Sequence, residues 1–137
     1  MSFTNYLEDK VLKHVFGGSA YTAPSTLYVG LFTAEPGEAG GGTEVSGNGY
    51  ARQSVAMSVS GNSPTEADND ANIEFPAATG NQGTISHAGV FDAATGGNLL
   101  AYAAISDPTD LDTALTKTVT SGDVFRIAAG NLKIRLD

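Results

Sequence analysis

The pattern of apolar and polar positions opens with one helical segment and then changes period. Leu7, Val11, Leu12 and Val15 fall at 3.6-residue spacing, which predicts a helix over about residues 5–16 with one apolar stripe. Asn5 followed three residues later by Glu8 makes a capping-box pattern. Glu8 and Asp9 stand near the positive end of the helix dipole, and Lys13 and His14 near its negative end. Gly17-Gly18 supplies the stop, because glycine tolerates the left-handed backbone that ends a helix. Four aliphatic side chains on one stripe require cover, since burying each contributes ~1.5–3 kcal/mol. The glycine stop and short link to Leu27 predict that the helix folds back onto its own domain.

Beyond this point the period shortens. Leu27–Phe32 is a continuous apolar run, and Tyr50–Val59 alternates, as does Leu132-Lys133-Ile134-Arg135-Leu136. Further strands are predicted at Ile73–Phe75, Thr84–Phe91, Leu99–Ile105, Lys117–Thr120 and Val124–Ile127. Ser121-Gly122 reads as a two-residue hairpin, and Ala94–Asn98 as a looser turn. Residues 37–49 hold little to bury and read as an exposed glycine-rich loop. About eight antiparallel strands after one helix predict a mainly β single domain over residues 1–137: a β-sandwich, jelly roll included.

Composition narrows the function classes. The 137 residues carry fifteen acids against seven Lys and Arg, a formal net charge of −8. Arg52, Lys117, Arg126, Lys133 and Arg135 are scattered along the chain, so a phosphate-neutralising patch is not expected and nucleic acid is not an expected partner. No run of eighteen apolar residues suggests a membrane span, and no signal-peptide core is evident near the N-terminus. Without cysteine, neither disulfides nor thiolate metal sites are available.

Little in the sequence points to catalysis. His14 suits the helix C-terminus as a dipole partner or exposed side chain. His87 follows Ser86, and two neighbours on one strand point to opposite faces, which argues against a nucleophile–base pair and for a structural histidine. Asp68-Asn69-Asp70-Ala71-Asn72 imitates the start of a calcium loop. Ile73 then stands where that loop needs glycine and Thr79 where it needs glutamate, so a solvated turn is expected. No catalytic, cofactor-binding or metal-ligating residue is assigned, and no cofactor is expected. The 37–49 loop, with Glu35, Glu38 and Glu44, reads as an arm that orders on a neighbouring subunit.

Several segments together resemble a family of small tailed-bacteriophage structural proteins, often labelled tail-fibre or minor virion structural proteins. They are Ser2–Glu8 with Val15–Gly18, Leu27–Thr33, Gly41–Val45, Tyr50–Gln53, Phe75–Thr79, Gly89–Leu100 and Ser121–Asp123. Asp107–Leu115 looks like an insertion relative to that pattern. The resemblance implies a non-enzymatic component of the virion, assembled in the host cytoplasm beside other virion proteins. Because nothing repeats, as a long fibre would, a compact acidic β-domain suits capsid decoration (cement) bound to the major capsid protein first. A tail or tail-fibre-associated adaptor is the second reading. Either role implies a homo-oligomer or multi-copy assembly. A host-glycan-binding module is the third, and would need Tyr21 or Tyr50 exposed.

Overall fold

A computed structural model of the chain describes residues 1–107 and 109–136, with the side chains of residues 110–112 excepted. In chain order it has β1 (Ser2–Phe3), α1 (Asn5–Val15), β2 (Leu27–Ala34), β3 (Thr43–Glu44), β4 (Gln53–Val55), β5 (Met57–Ser60), β6 (Thr65–Asn69), β7 (Ile73–Glu74) and β8 (Gly83–Ile85). There follow β9 (His87–Phe91), β10 (Leu99–Ala104), β11 (Ser106–Asp107), β12 (Asp110–Ala114), β13 (Lys117–Val119), β14 (Arg126–Ile127) and β15 (Lys133–Leu136). The fold is mainly β with one helix, as expected, but the strands are shorter and more numerous than eight. Within the segment that looks like an insertion, β11 pairs with β12, and Pro108 lies outside the described residues.

One antiparallel sheet organises the rest. Its order is β1-β10-β9-β2-β3, with β4 also paired to β2. Its central strands are covered on both faces, which explains why Leu27–Phe32 reads as an unbroken apolar run. On the inner face Val29, Leu31, Ala88 and Val90 pack with Ile73, Phe75, Ile85, Val119, Phe125 and Leu132 from the smaller sheets β5-β6-β15, β7-β14 and β8-β13. On the outer face Phe32, Phe91 and Leu99 form a second cluster, with Tyr28 and Tyr102 packed against it. Two layers around one core give a sandwich-like architecture.

Two expected long strands are broken where the chain changes sheets. Tyr50–Val59 divides at Ala56, whose carbonyl accepts from Asp70 N–H at 3.0 Å, so β4 joins the main sheet and β5 joins β6. Thr84–Phe91 divides at Ser86, with β8 pairing β13 and β9 pairing β2 and β10. Such corners are how strands move between packed sheets. The expected Ser121-Gly122 hairpin is a turn, since Asp123 N–H donates to Thr120 O at 3.0 Å. Its flanks do not pair with each other: β13 pairs β8 and β14 pairs β7. The Ala94–Asn98 turn does join paired strands, β9 and β10. The alternation in 132–136 fades outward, from buried Leu132 through half-buried Ile134 to exposed Leu136.

The 37–49 loop is no free arm. β3 pairs β2, Val45 is buried with its N–H on Leu31 O at 2.9 Å, and Glu38 O accepts from Asn5 N–H at 3.0 Å. Glycine is what lets the chain double back so closely. A Cβ on Gly42, at φ +76°, would stand 2.6 Å from the carbonyl oxygens of Ala34 and Glu35. Asp68–Asn72 is the expected solvated turn only in part, for Asp68 and Asn69 end β6 while Asp70, Ala71 and Asn72 form an exposed bend before β7. Asn69 is buried, its amide donating to Ala71 O and Ala128 O at 2.8 and 3.0 Å while its Oδ1 accepts from Leu132 N–H at 2.9 Å. Asp70 accepts from Ser58 Oγ, and Asn72 Oδ1 from Ala129 N–H at 2.9 Å. The Asn69 and Asn72 side chains hold the 128–132 segment beside the end of β6.

Two glycines of one loop test this account. Gly37, at φ +68°, has nothing within 4 Å of an added Cβ, whereas Gly42 meets two carbonyls. Gly37→Ala should lose only the left-handed backbone cost of roughly 1–2 kcal/mol. Gly42→Ala should lose a further ~1–3 kcal/mol of overpacking. Urea unfolding of the two variants measures the difference.

Candidate interaction surface

The helix is capped one residue earlier than its sequence pattern indicates. Thr4 is the N-cap, its Oγ1 accepting from Leu7 N–H at 3.5 Å. The same hydroxyl donates to Leu99 O at 2.6 Å, and Thr4 N–H donates to Leu100 O at 2.9 Å. Buried Thr4 therefore caps the helix and rivets it to the sheet edge, which a capping-box pattern alone cannot reveal. Asp9 and Lys13 form an i,i+4 ion pair at 2.8 Å. His14 is exposed, and its Nδ1 accepts from Tyr21 N–H at 3.0 Å, tying the link segment to the last turn.

Of the apolar stripe, Leu7 faces the domain, and the part beyond it does not fold back. Leu12 is 58% exposed, Val15 60% and Phe16 81%. Tyr6, Leu7 and Lys10 are the half-buried side of the helix, and its contacts are with β1 and β10 at the sheet edge. The last turn and a half carries its apolar residues on the outward face. Glu8, Leu12 and Phe16, at four-residue steps, share that face with Val15, so it is acidic at one end and apolar at the other.

Beside the helix start lies an open groove of about 450 Å³, bordered by Tyr6, Glu38, Gly41, Gly97 and Asn98 and floored by Arg52 and Phe91. Its floor is an ionic cluster. Arg52 donates from Nε and Nη2 to both Glu44 oxygens at 2.8 Å, and from Nη1 to Ala93 O and Gly96 O at 2.8 Å. Its guanidinium lies 3.4 Å above the Phe91 ring, which stacks on Phe32 at 5.9 Å. Tyr50 donates to Glu44 at 2.8 Å and accepts from Leu31 N–H at 3.0 Å. Burial, with Glu44 adding to it, pushes the Tyr50 phenol well above its ordinary range. Gly30 makes room, for a Cβ there would stand 2.8 Å from Phe91 and 2.9 Å from Glu44. Arg52 and Tyr50 thus have their polar atoms committed within the fold, and Tyr50 does not offer the exposed ring a glycan platform needs.

At the Ala104 end of β10 a larger groove of about 700 Å³ is lined by Ile105, Leu115 and Ile127 and by Lys117, Arg126, Lys133 and Arg135. Four of the cations that look scattered in sequence are therefore gathered at one place. Glu66 pairs with Lys133 at 2.9 Å and Arg135 at 2.5 Å, and these two hold its carboxyl below the usual range. No carboxylate lines the groove among the described residues.

The expected separation of Ser86 and His87 does not hold. Ser86 lies between strands at the sheet corner, and its Oγ is 2.8 Å from His87 Nδ1. Which atom donates depends on the histidine tautomer. Among the described residues, no three His, Asp or Glu side chains converge as metal ligands.

The sequence, compared with family models, places the chain among structural proteins of the phage virion. The chain is a member of the podophage GP4 fiber I protein gp80 family, whose family model matches residues 2–135. No curated protein matches it.

Arg52 is the residue on which this surface turns. Breaking a buried ion pair from one side costs about 3–5 kcal/mol. The Arg52 side chain is 8% exposed but Glu44 is 25%, so solvent can still reach the carboxylate left behind. Arg52→Ala should lose about 2–3 kcal/mol in chemical denaturation after that discount. Arg52→Lys should fall between it and the parent, because an ammonium cannot repeat the bidentate fork.

Proposed function

We propose that the chain is a non-enzymatic, tail-fibre-associated structural component of the virion that joins its neighbours through the outward face of α1. The family match over residues 2–135 carries this reading and favours the fibre over capsid decoration. The helix supplies its mechanism. Leu12, Val15 and Phe16 are costly to leave in water, and covering each fully contributes ~1.5–3 kcal/mol, which an interface can recover. The rigid Thr4 rivet presents that face in a fixed direction, so little conformational freedom is lost when it docks. Ser86 and His87 serve the sheet corner in this reading, where Ser86 N–H donates to Phe32 O at 2.9 Å and Ser86 O accepts from Ile105 N–H at 2.9 Å.

Gold-labelled antibody against the chain should decorate tails, and labelling confined to heads would overturn the fibre assignment in favour of decoration. Leu12→Asp should leave the melting temperature of the isolated protein nearly unchanged while removing it from assembled particles. A collapsed melting temperature would mean that the helix face belongs to the core after all.

A further inference from the structure

The helix face and the basic groove are complementary, and they sit at different ends of one sheet. The helix leaves from the Leu99 end of β10, where Thr4 is pinned to Leu99 and Leu100. The groove opens beside Ala103 and Ala104 at the other end, about 17 Å away at ~3.3 Å per strand residue. Leu12, Val15 and Phe16 stand in solvent, so a copy does not fill its own groove with its own helix. The charges match as well. The face that carries Leu12 and Phe16 also carries Glu8, whereas Lys10 and His14 lie round the helix. The groove presents apolar Ile105, Leu115 and Ile127 inside a rim of Lys117, Arg126, Lys133 and Arg135. A chain of net charge −8 otherwise repels its own kind, and although Lys133 and Arg135 share Glu66, four of its seven Lys and Arg at one mouth keep the rim positive and favour an acidic apolar occupant.

We infer that the occupant of this groove is α1 of a second copy, docked head to tail, with Leu12, Val15 and Phe16 against the apolar floor and Glu8 toward the rim cations. This rests on the structural role proposed above and names the partner of the helix. A heterologous contact of this kind leaves one unused helix and one unused groove on every dimer. Association therefore continues until a ring closes or a filament grows, an arrangement suited to a multi-copy assembly. Salt should weaken it, because the rim pairs lie near solvent.

The test uses two variants of the full chain, each damaged on one side only. Leu12→Asp with Phe16→Asp spoils the helix face, and Lys117→Glu with Arg126→Glu spoils the rim; all four positions are exposed, so melting temperatures should stay near the parent's. In sedimentation velocity the parent should gain mass with concentration and lose it with added salt. Each variant alone should remain monomeric. Mixed, they should form a heterodimer that grows no further, because one intact helix meets one intact groove. A parent that stays monomeric at every concentration, or a mixture that stays monomeric, would overturn the inference. So would a rim variant that still dimerises, since that means helix against helix. If the parent is monomeric while Leu12→Asp is still lost from particles, the fibre reading stands and only the head-to-tail partner falls.

Discussion

The clamp of Arg52 on Glu44, laid over Phe91, is the interaction on which the arrangement of the outer surface depends. It joins a carboxylate from β3, a guanidinium just before β4 and the carbonyls of the 93–96 turn across the face of β2 and β9. It works beside short β3, buried Val45, the Tyr50–Glu44 hydrogen bond and the contacts of Asn48 with Thr79, Asn81 and Gln82 in holding down the glycine-rich segment 37–49. That segment in turn supplies Glu38 O to Asn5 N–H at the helix start. A chain of dependence thus runs from an ion pair to a loop to the base of a helix. Gly30 is the steric condition for all of it, since any side chain there would occupy the space of the Phe91 ring and the Glu44 carboxylate.

This arrangement separates folding from assembly. The two apolar clusters are complete without the far turn of α1: Val29, Leu31 and Val90 are buried within the sheet, and Phe32, Phe91 and Leu99 cover its other face. The helix needs the body, because an isolated helix of eleven residues is marginal in water and this one is anchored through buried Thr4. The body has much less need of the outward face of the helix. A surface that contributes little to folding is free to be used for docking, and its apolar residues gain only when something covers them.

The sequence made some of this legible and hid the rest for definite reasons. Helix α1 was readable because capping, periodicity, charge placement and the glycine stop all agreed locally, even though the true cap lies at Thr4. What the stripe packs against was not readable. A short link permits folding back but does not compel it, and nothing local reveals that the sheet edge underlies only the Tyr6, Leu7 and Lys10 side. The run Leu27–Phe32 announced a buried strand. The corners at Ala56 and Ser86 were invisible, because both sides of each break have strand-like composition and only tertiary pairing divides them. Corner geometry likewise brings Ser86 and His87 together. The groove cations Lys117, Arg126 and the Lys133/Arg135 pair looked dispersed because they come from three strands, β13, β14 and β15, that meet only in the folded protein. The family resemblance was legible as a virion structural protein, and the match over residues 2–135 agrees with it.

The central claim is that the far turns of α1 are energetically separate from the β body until a partner covers them. Native-state hydrogen exchange residue by residue measures this directly. In the isolated protein the amides of Val15 and Phe16 should exchange through local opening far faster than those of Leu31 and Val90, which require global unfolding. In assembled particles the helix amides should become strongly protected. Helix amides as protected as those of β2 and β9 in the isolated protein would contradict the account.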